Sequence, residues 1–170
     1  MGNIAYPRNH PKRMTLALVT NLLGGPALNS RLTLAIREKY GYAYSIEAMY
    51  QPYSDTGLFG IYLGTDRQNL EKSLNLAGKE LKMLSTKKLG TLQLHRAKKQ
   101  VMGQLAISLE SRLSETLGIA KNHLHDGNVR TVDEIMAEIA AITAEDILEV
   151  SGEIFRAEMM STLIYKSKEE

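Results

Sequence analysis

Arg37 and Tyr44 are the side chains of this 170-residue sequence best suited to gripping a peptide. A guanidinium offers a rigid fork of N–H donors and a phenol offers one O–H, and both match the carbonyl oxygens of a polypeptide backbone. The two stand seven residues apart in GGPALNSRLTLAIREKYGYAYSI, residues 24–46, with a second phenol, Tyr42, between them. No bond-breaking machinery accompanies them. Histidine occurs only at positions 10, 95, 123 and 125, and neither His-x-x-Glu-His nor His-Glu-x-x-His is present. The helical zinc sites of metallopeptidases are therefore missing from this sequence. His123 and His125 are two apart on a helical stretch, roughly 200° around its axis, and so diverge. They read as donors near a helix C-terminus, just before Asp126-Gly127. His95 adjoins an apolar stripe and reads as a partly buried packing residue, while His10 has no evident partner.

Other reactive groupings are missing too. There is no cysteine, no Gly-x-Ser-x-Gly elbow and no phosphate-binding loop; Gly24-Gly25 reads as a helix end. Glu110, Glu115, Glu134, Glu138 and Glu145 are scattered over amphipathic helices and read as solvated. Tyr40, Tyr42, Tyr44, Tyr50, Tyr53 and Tyr62 form a dense aromatic cluster. With few cations interleaved, such a cluster suits sheet packing better than base stacking.

The elements that must position these residues follow from periodicity. Pro11 suits a first helical turn, and Met14, Leu16, Ala17, Leu18, Leu22 and Leu23 give the helix a broad apolar face, ended by Gly24-Gly25-Pro26. Asn29 or Ser30 caps a second, short helix that turns Leu32, Ala35 and Ile36 inward and stops before Gly41. Residues 42–51 and 57–65 predict an antiparallel hairpin around the turn-forming residues 52–57. Leu70 to Leu84 form one helical stripe, and Leu94 to Leu124 a second and longer one. Thr131 with Glu134, and Thr143 with Asp146, mark two further capped helices, and MMSTLIY, residues 159–165, predicts a last strand. The order specifies an α+β domain with helices packed on an antiparallel or mixed sheet. Residues 1–10 read as an extended lead-in, 11–166 as one domain, and 167–170 as a solvated tail.

Composition sets the outer bounds. A hydrophobic content of 44% over this length supports one buried core. A net charge of +2, from 21 basic and 19 acidic residues, argues against nucleic acid as a partner. The longest apolar run, Leu16–Leu23, is broken by Thr20 and Asn21, far short of the roughly 18 residues of a membrane span. The chain reads as soluble, with no signal or membrane segment, and nothing in it assigns a compartment.

Several short motifs occur in a fixed order: Leu22-Leu23-Gly24-Gly25, Asn29-Ser30-Arg31-Leu32, Arg37-Glu38-Lys39, Gly41, Ala43-Tyr44-Ser45, Asp55-Thr56-Gly57, Gly60-Ile61-Tyr62, Gln93-Leu94-x-x-Ala97-Lys98 and Leu163-Ile164-Tyr165. Together they resemble the C-terminal, metal-free half of insulinase-like (pitrilysin-type) zinc metallopeptidases, a family that includes the mitochondrial processing peptidase and bacterial zinc proteases. The resemblance implies a half-domain of the mitochondrial processing peptidase type, short of its first strand. It closes over a peptide held at the zinc site of a partner half, in the same polypeptide or in a second subunit. It further implies that Tyr44 donates to the scissile carbonyl, that Arg37 and Tyr42 bind substrate, and that this chain holds no metal and is inactive alone. Tyr42 stands where many relatives have leucine, so either tyrosine is a candidate for the contact. Three readings compete: the substrate-binding half, a non-catalytic scaffold or assembly subunit of the same family, and an unrelated α+β binding module. The plain structural alternative for the two residues is that Arg37 pairs with Glu38 or Glu47 on the surface and Tyr44 packs in the sheet. An exposed sheet edge also offers a route to self-association.

Overall fold

The computed structural model describes residues 1–127 and 129–166. Three antiparallel strands form a sheet of order β1-β3-β2: β1 is Gly2–Ala5, β2 Ala43–Pro52 and β3 Gly57–Thr65. The hairpin β2–β3 turns as expected, closed by Tyr53 N–H donating to Thr56 O at 2.8 Å. The lead-in expected at residues 1–10 is in part a strand. Gly2 pairs with Gly60 and Ala5 with Gly57, so a first strand is present, though short. Its tetrapeptide GNIA alternates inward Asn3 and Ala5 with outward Gly2 and Ile4, a period-two signal spread over too few residues to stand out in the sequence.

One face of the sheet is covered. Helix α1 (Arg13–Gly24) packs on β2, α2 (Leu70–Thr86) lies beside α6 (Ala144–Ile154), and α6 also meets α1. Leu16, Leu18, Val19, Leu23, Phe59, Ala77, Leu84, Ile147 and Val150 meet in the core, where the Phe59 and Phe155 rings lie 4.8 Å apart. Helix α1 begins at Arg13, so Pro11 precedes the first turn. The helical stretch over residues 31–40 starts after Ser30, whose hydroxyl meets that of Thr33 at 2.8 Å. Its middle, Thr33–Glu38, is a π-helix. Both capping boxes form as expected, at the starts of α5 (Val132–Ala141) and α6.

Three expectations change. The long stripe from Leu94 to Leu124 is two helices, α3 (Thr91–Ser108) and α4 (Arg112–Asp126), broken where Ser111 caps the second. Helix α3 buries Ala97 alone, and His95 is exposed, because this helix touches the body along only a narrow edge. The last strand reduces to a single bridge: Ser161 exchanges two backbone hydrogen bonds with Gly2, each 2.8 Å, and residues 162–166 join no ladder. The tail proposed for residues 167–170 lies outside the described residues. No helix among the described residues is long and apolar enough to cross a membrane.

Candidate functional site

Three local devices place Arg37 and Tyr44 at one corner of the sheet. The π-helix that carries Arg37 packs against β2, and π-turns are uncommon enough to mark sites where a side chain must be re-aimed. The chain then reverses at Gly41, whose N–H donates to Arg37 O at 2.8 Å and whose φ of 66° favours a residue without a Cβ. Finally, the β2–β3 register shifts between Ala43 and Ser45, making Tyr44 the extra residue of a bulge. Bulges bend a strand and re-aim a side chain, and this one turns Tyr44 outward.

Tyr44 is 71% exposed. Its ring lies over Gly64 on the uncovered face: a Cβ at Gly64 would sit 2.5 Å from Tyr44 Cε2 and 2.4 Å from Ser45 Oγ. The bare glycine lets the ring bed down while its hydroxyl has no partner among the described residues. Tyr42 is held differently. It is half-buried, stacked on Tyr40 with ring centroids 5.1 Å apart, and Lys72 Nζ lies 5.1 Å from its ring centre. Arg37 Nε donates to Glu38 Oε1 at 3.0 Å, leaving both Nη groups without a partner among the described residues. Exposed pairs between neighbours contribute little, so this contact yields readily to a better acceptor.

The outward face of the sheet shows Tyr62 opposite Glu47 near this corner and, toward the hairpin turn, Met49, Leu58 and Ile4. Tyr62 belonged to the aromatic cluster of the sequence; its outward position was readable from the alternation with buried Ile61. Behind the corner, Arg31 Nε donates to Glu80 Oε2 at 2.8 Å, a largely buried pair that ties the start of the π-helical segment to α2.

The other sequence candidates do not converge. His123 and His125 sit exposed in the last turn of α4, and His10 stacks on Tyr6 at 4.0 Å. Among the described residues no group of three or more His, Asp or Glu side chains is disposed to hold a metal ion, so the residues present do not fit a zinc site. A cavity of about 250 Å³ between α1, α5 and α6 carries Lys12, Glu138, Asp146 and Glu149. All four are engaged within the fold: Lys12 with Glu149, Glu138 with Arg130, and Asp146 in its capping box. A network missed in the sequence lies next to it. Tyr6 donates to Glu153, and Lys12 Nζ sits 2.5 Å from the other Glu153 oxygen. These bonds, Lys12 first and Tyr6 second, hold the Glu153 carboxyl below its ordinary range, while burial and then the Glu153 contact push the Tyr6 phenol up. The network ties the segment between β1 and α1 to α6 and has no part in the corner.

Comparison with known proteins decides the family. A family model described as the peptidase M16 inactive domain matches residues 1–101. The chain belongs to this family. The M16 chain is 35% identical over 167 residues to an uncharacterized zinc protease of Rickettsia felis, covering 96% of this chain and 40% of that protein. It is 32% identical to the uncharacterized zinc protease YmxG of Bacillus subtilis, covering 93% and 38%. With the probable mitochondrial-processing peptidase subunit alpha-1 of Arabidopsis thaliana it shares 29% identity, covering 86% and 31%. The M16 chain thus spans well under half the length of these relatives. In fold it resembles a solved protease from Helicobacter pylori, at a TM-score of 0.80 and 17% identity, covering 93% of this chain and 38% of that one. A solved peptidase M16 inactive domain from Pseudomonas fluorescens matches at 0.79 and 20%, again covering 93% and 38%.

Proposed function

We propose that this M16 inactive domain is the substrate-binding half of a zinc endopeptidase, closing over a peptide held at the zinc site of a partner half. The observation that carries the reading is Tyr44: a bulge turns it out of the sheet, Gly64 beds its ring, and its hydroxyl is unengaged. Such a phenol donates its O–H to a carbonyl oxygen as negative charge gathers there, with little reorganisation at the moment of reaction. Arg37 binds a neighbouring peptide carbonyl through its Nη groups, and a charge-assisted bond of that kind is stronger than a neutral one. Tyr42, stacked on Tyr40 with Lys72 over its ring, is the second phenol offered to the peptide. The chemistry of cleavage belongs to the partner half.

The test combines this chain with a purified half-domain carrying His-x-x-Glu-His and follows cleavage of a peptide library. The chain alone is expected to cleave nothing, and the pair to cleave with a requirement for zinc. In the pair, Tyr44→Phe is expected to lower turnover by about 100-fold, comparable with loss of one oxyanion donor, while the folding transition stays unchanged. Gly64→Ala, which pushes on the Tyr44 ring without touching its hydroxyl, is expected to lower turnover less. Full activity of Tyr44→Phe would remove the proposed role and favour the assembly-subunit reading instead.

A further inference from the structure

Thr65, the last residue of β3, braces the Arg37–Tyr44 corner through its hydroxyl. Its Oγ1 donates to the Tyr42 carbonyl oxygen, while the Tyr42 N–H donates to Ile36 O at 3.2 Å. Both backbone groups of Tyr42 are thereby fixed, one to the π-helix that carries Arg37 and the other to the end of β3. Behind Thr65 stands Ser73, in the first turn of α2. It is fully enclosed, and its Oγ lies 3.5 Å from Thr65 Oγ1.

The strand itself needs no hydroxyl there. Valine has nearly the shape of threonine and a similar preference for strands, and an enclosed hydroxyl costs free energy unless it is bonded. What the Thr65 hydroxyl adds is the bond to Tyr42 O, and that bond falls where the ladder is weakest. The β2–β3 register shifts between Ala43 and Ser45, and a bulge interrupts pairing locally, so the path of the chain through Tyr44 depends on bonds from outside the ladder. With the Tyr42 carbonyl pinned, the chain reaches Tyr44 two residues later in one orientation, with its ring over Gly64. Consecutive residues of β3 thus serve the same end, Gly64 by bedding the ring and Thr65 by pinning the backbone that leads to it. We propose that Thr65, backed by Ser73, is a positioning residue that sets the aim of the Tyr44 hydroxyl relative to Arg37. It acts through Tyr44 and so rests on the functional reading given above.

The experiment has two arms. In the first, Thr65→Val and Thr65→Ser are made alone and together with Tyr44→Phe, and each chain is paired with the purified metal-bearing half. Thr65→Val is expected to lower turnover about tenfold with KM unchanged, less than a misplacement of about 1 Å can cost. Thr65→Ser keeps the donor and should recover most of that turnover. Ser73→Ala, which removes only the backing, should lower turnover less than Thr65→Val. On the Tyr44→Phe background Thr65→Val should cost nothing more, because the hydroxyl it aims is already gone. Equal losses on both backgrounds would make Thr65 a merely structural residue and overturn the proposal. The second arm needs no partner. In the isolated chain, nuclear Overhauser contacts between the Tyr44 ring and Gly64 should weaken in Thr65→Val and return in Thr65→Ser. Unchanged contacts in Thr65→Val overturn the positioning role whatever Tyr44 does in the pair. Weakened contacts combined with full activity of Tyr44→Phe leave the aiming of the ring by Thr65 standing and remove the functional reading alone.

Discussion

Leucines at helical spacing meet opposite fates in α1 and α4. In α1, Leu16, Leu18 and Leu23 are sealed between β2 and α6, whereas in α4 Leu113, Leu117 and Leu124 face outward. The two helices have nearly equal amphipathic character, so periodicity alone does not separate them. What separates them is the more polar composition of α4 and the packing of other elements of the same chain over the α1 leucines. The α1 leucines hold the domain together, and the α4 leucines stand exposed on its surface.

Substitutions in the two regions test that contrast by size of effect. Phe59→Ala, at a fully buried position against Phe155, is expected to cost about 3–5 kcal/mol in chemical denaturation, the range for deleting a core aromatic. Arg31→Ala leaves Glu80 largely buried without its partner and should cost about 2 kcal/mol, with the melting temperature lowered accordingly. A loss under about 0.5 kcal/mol there would show that the π-helical segment needs no such tether.

Glu153→Gln probes the Tyr6–Lys12–Glu153 network through pH. Because its carboxyl is held below the ordinary value, the folded state binds fewer protons than the unfolded one between the two values, and stability rises with pH across that window. The contribution is therefore present above the unfolded glutamate value of about 4.3 and is lost as pH falls through the lower folded value. Glu153→Gln is expected to cost about 0.5–1 kcal/mol at pH 7, a figure kept small by solvent screening. That difference should shrink toward zero in melts below about pH 4. At the small end, Leu117→Ala should stay within about 0.5 kcal/mol of wild type in the isolated chain. A core-sized loss would mean that α4 is packed after all and would erase the contrast with α1.

Much of the fold was legible because it rests on neighbours in sequence. A capping box needs only Thr131 and Glu134, or Thr143 and Asp146; a hairpin needs turn residues between two alternating runs; a left-handed cap needs Gly41. The ordered motifs from Leu22-Leu23-Gly24-Gly25 to Leu163-Ile164-Tyr165 were legible too, and their resemblance pointed to the family that the comparisons bear out. The π-turn and the bulge were not, since each depends on how residues 31–46 meet β3 and α2. Tyr42 and Tyr44 looked alike in the sequence, and only the packing of Tyr40 and Lys72 on the one and Gly64 beneath the other made them differ.

The amino-acid sequence by itself thus determined which segments are helices, where several of them begin and stop, and which side chains are available for chemistry, because those outcomes depend on interactions a few residues long. Tertiary structure decided the rest. It made a strand of Gly2–Ala5 by pairing it with residues some 55 positions away, denied one to residues 162–166, and split one apolar stripe into a helix beside the body and a helix that turns its leucines outward. Burial and strand pairing require a partner surface, and the position of that surface is set by chain distant in sequence.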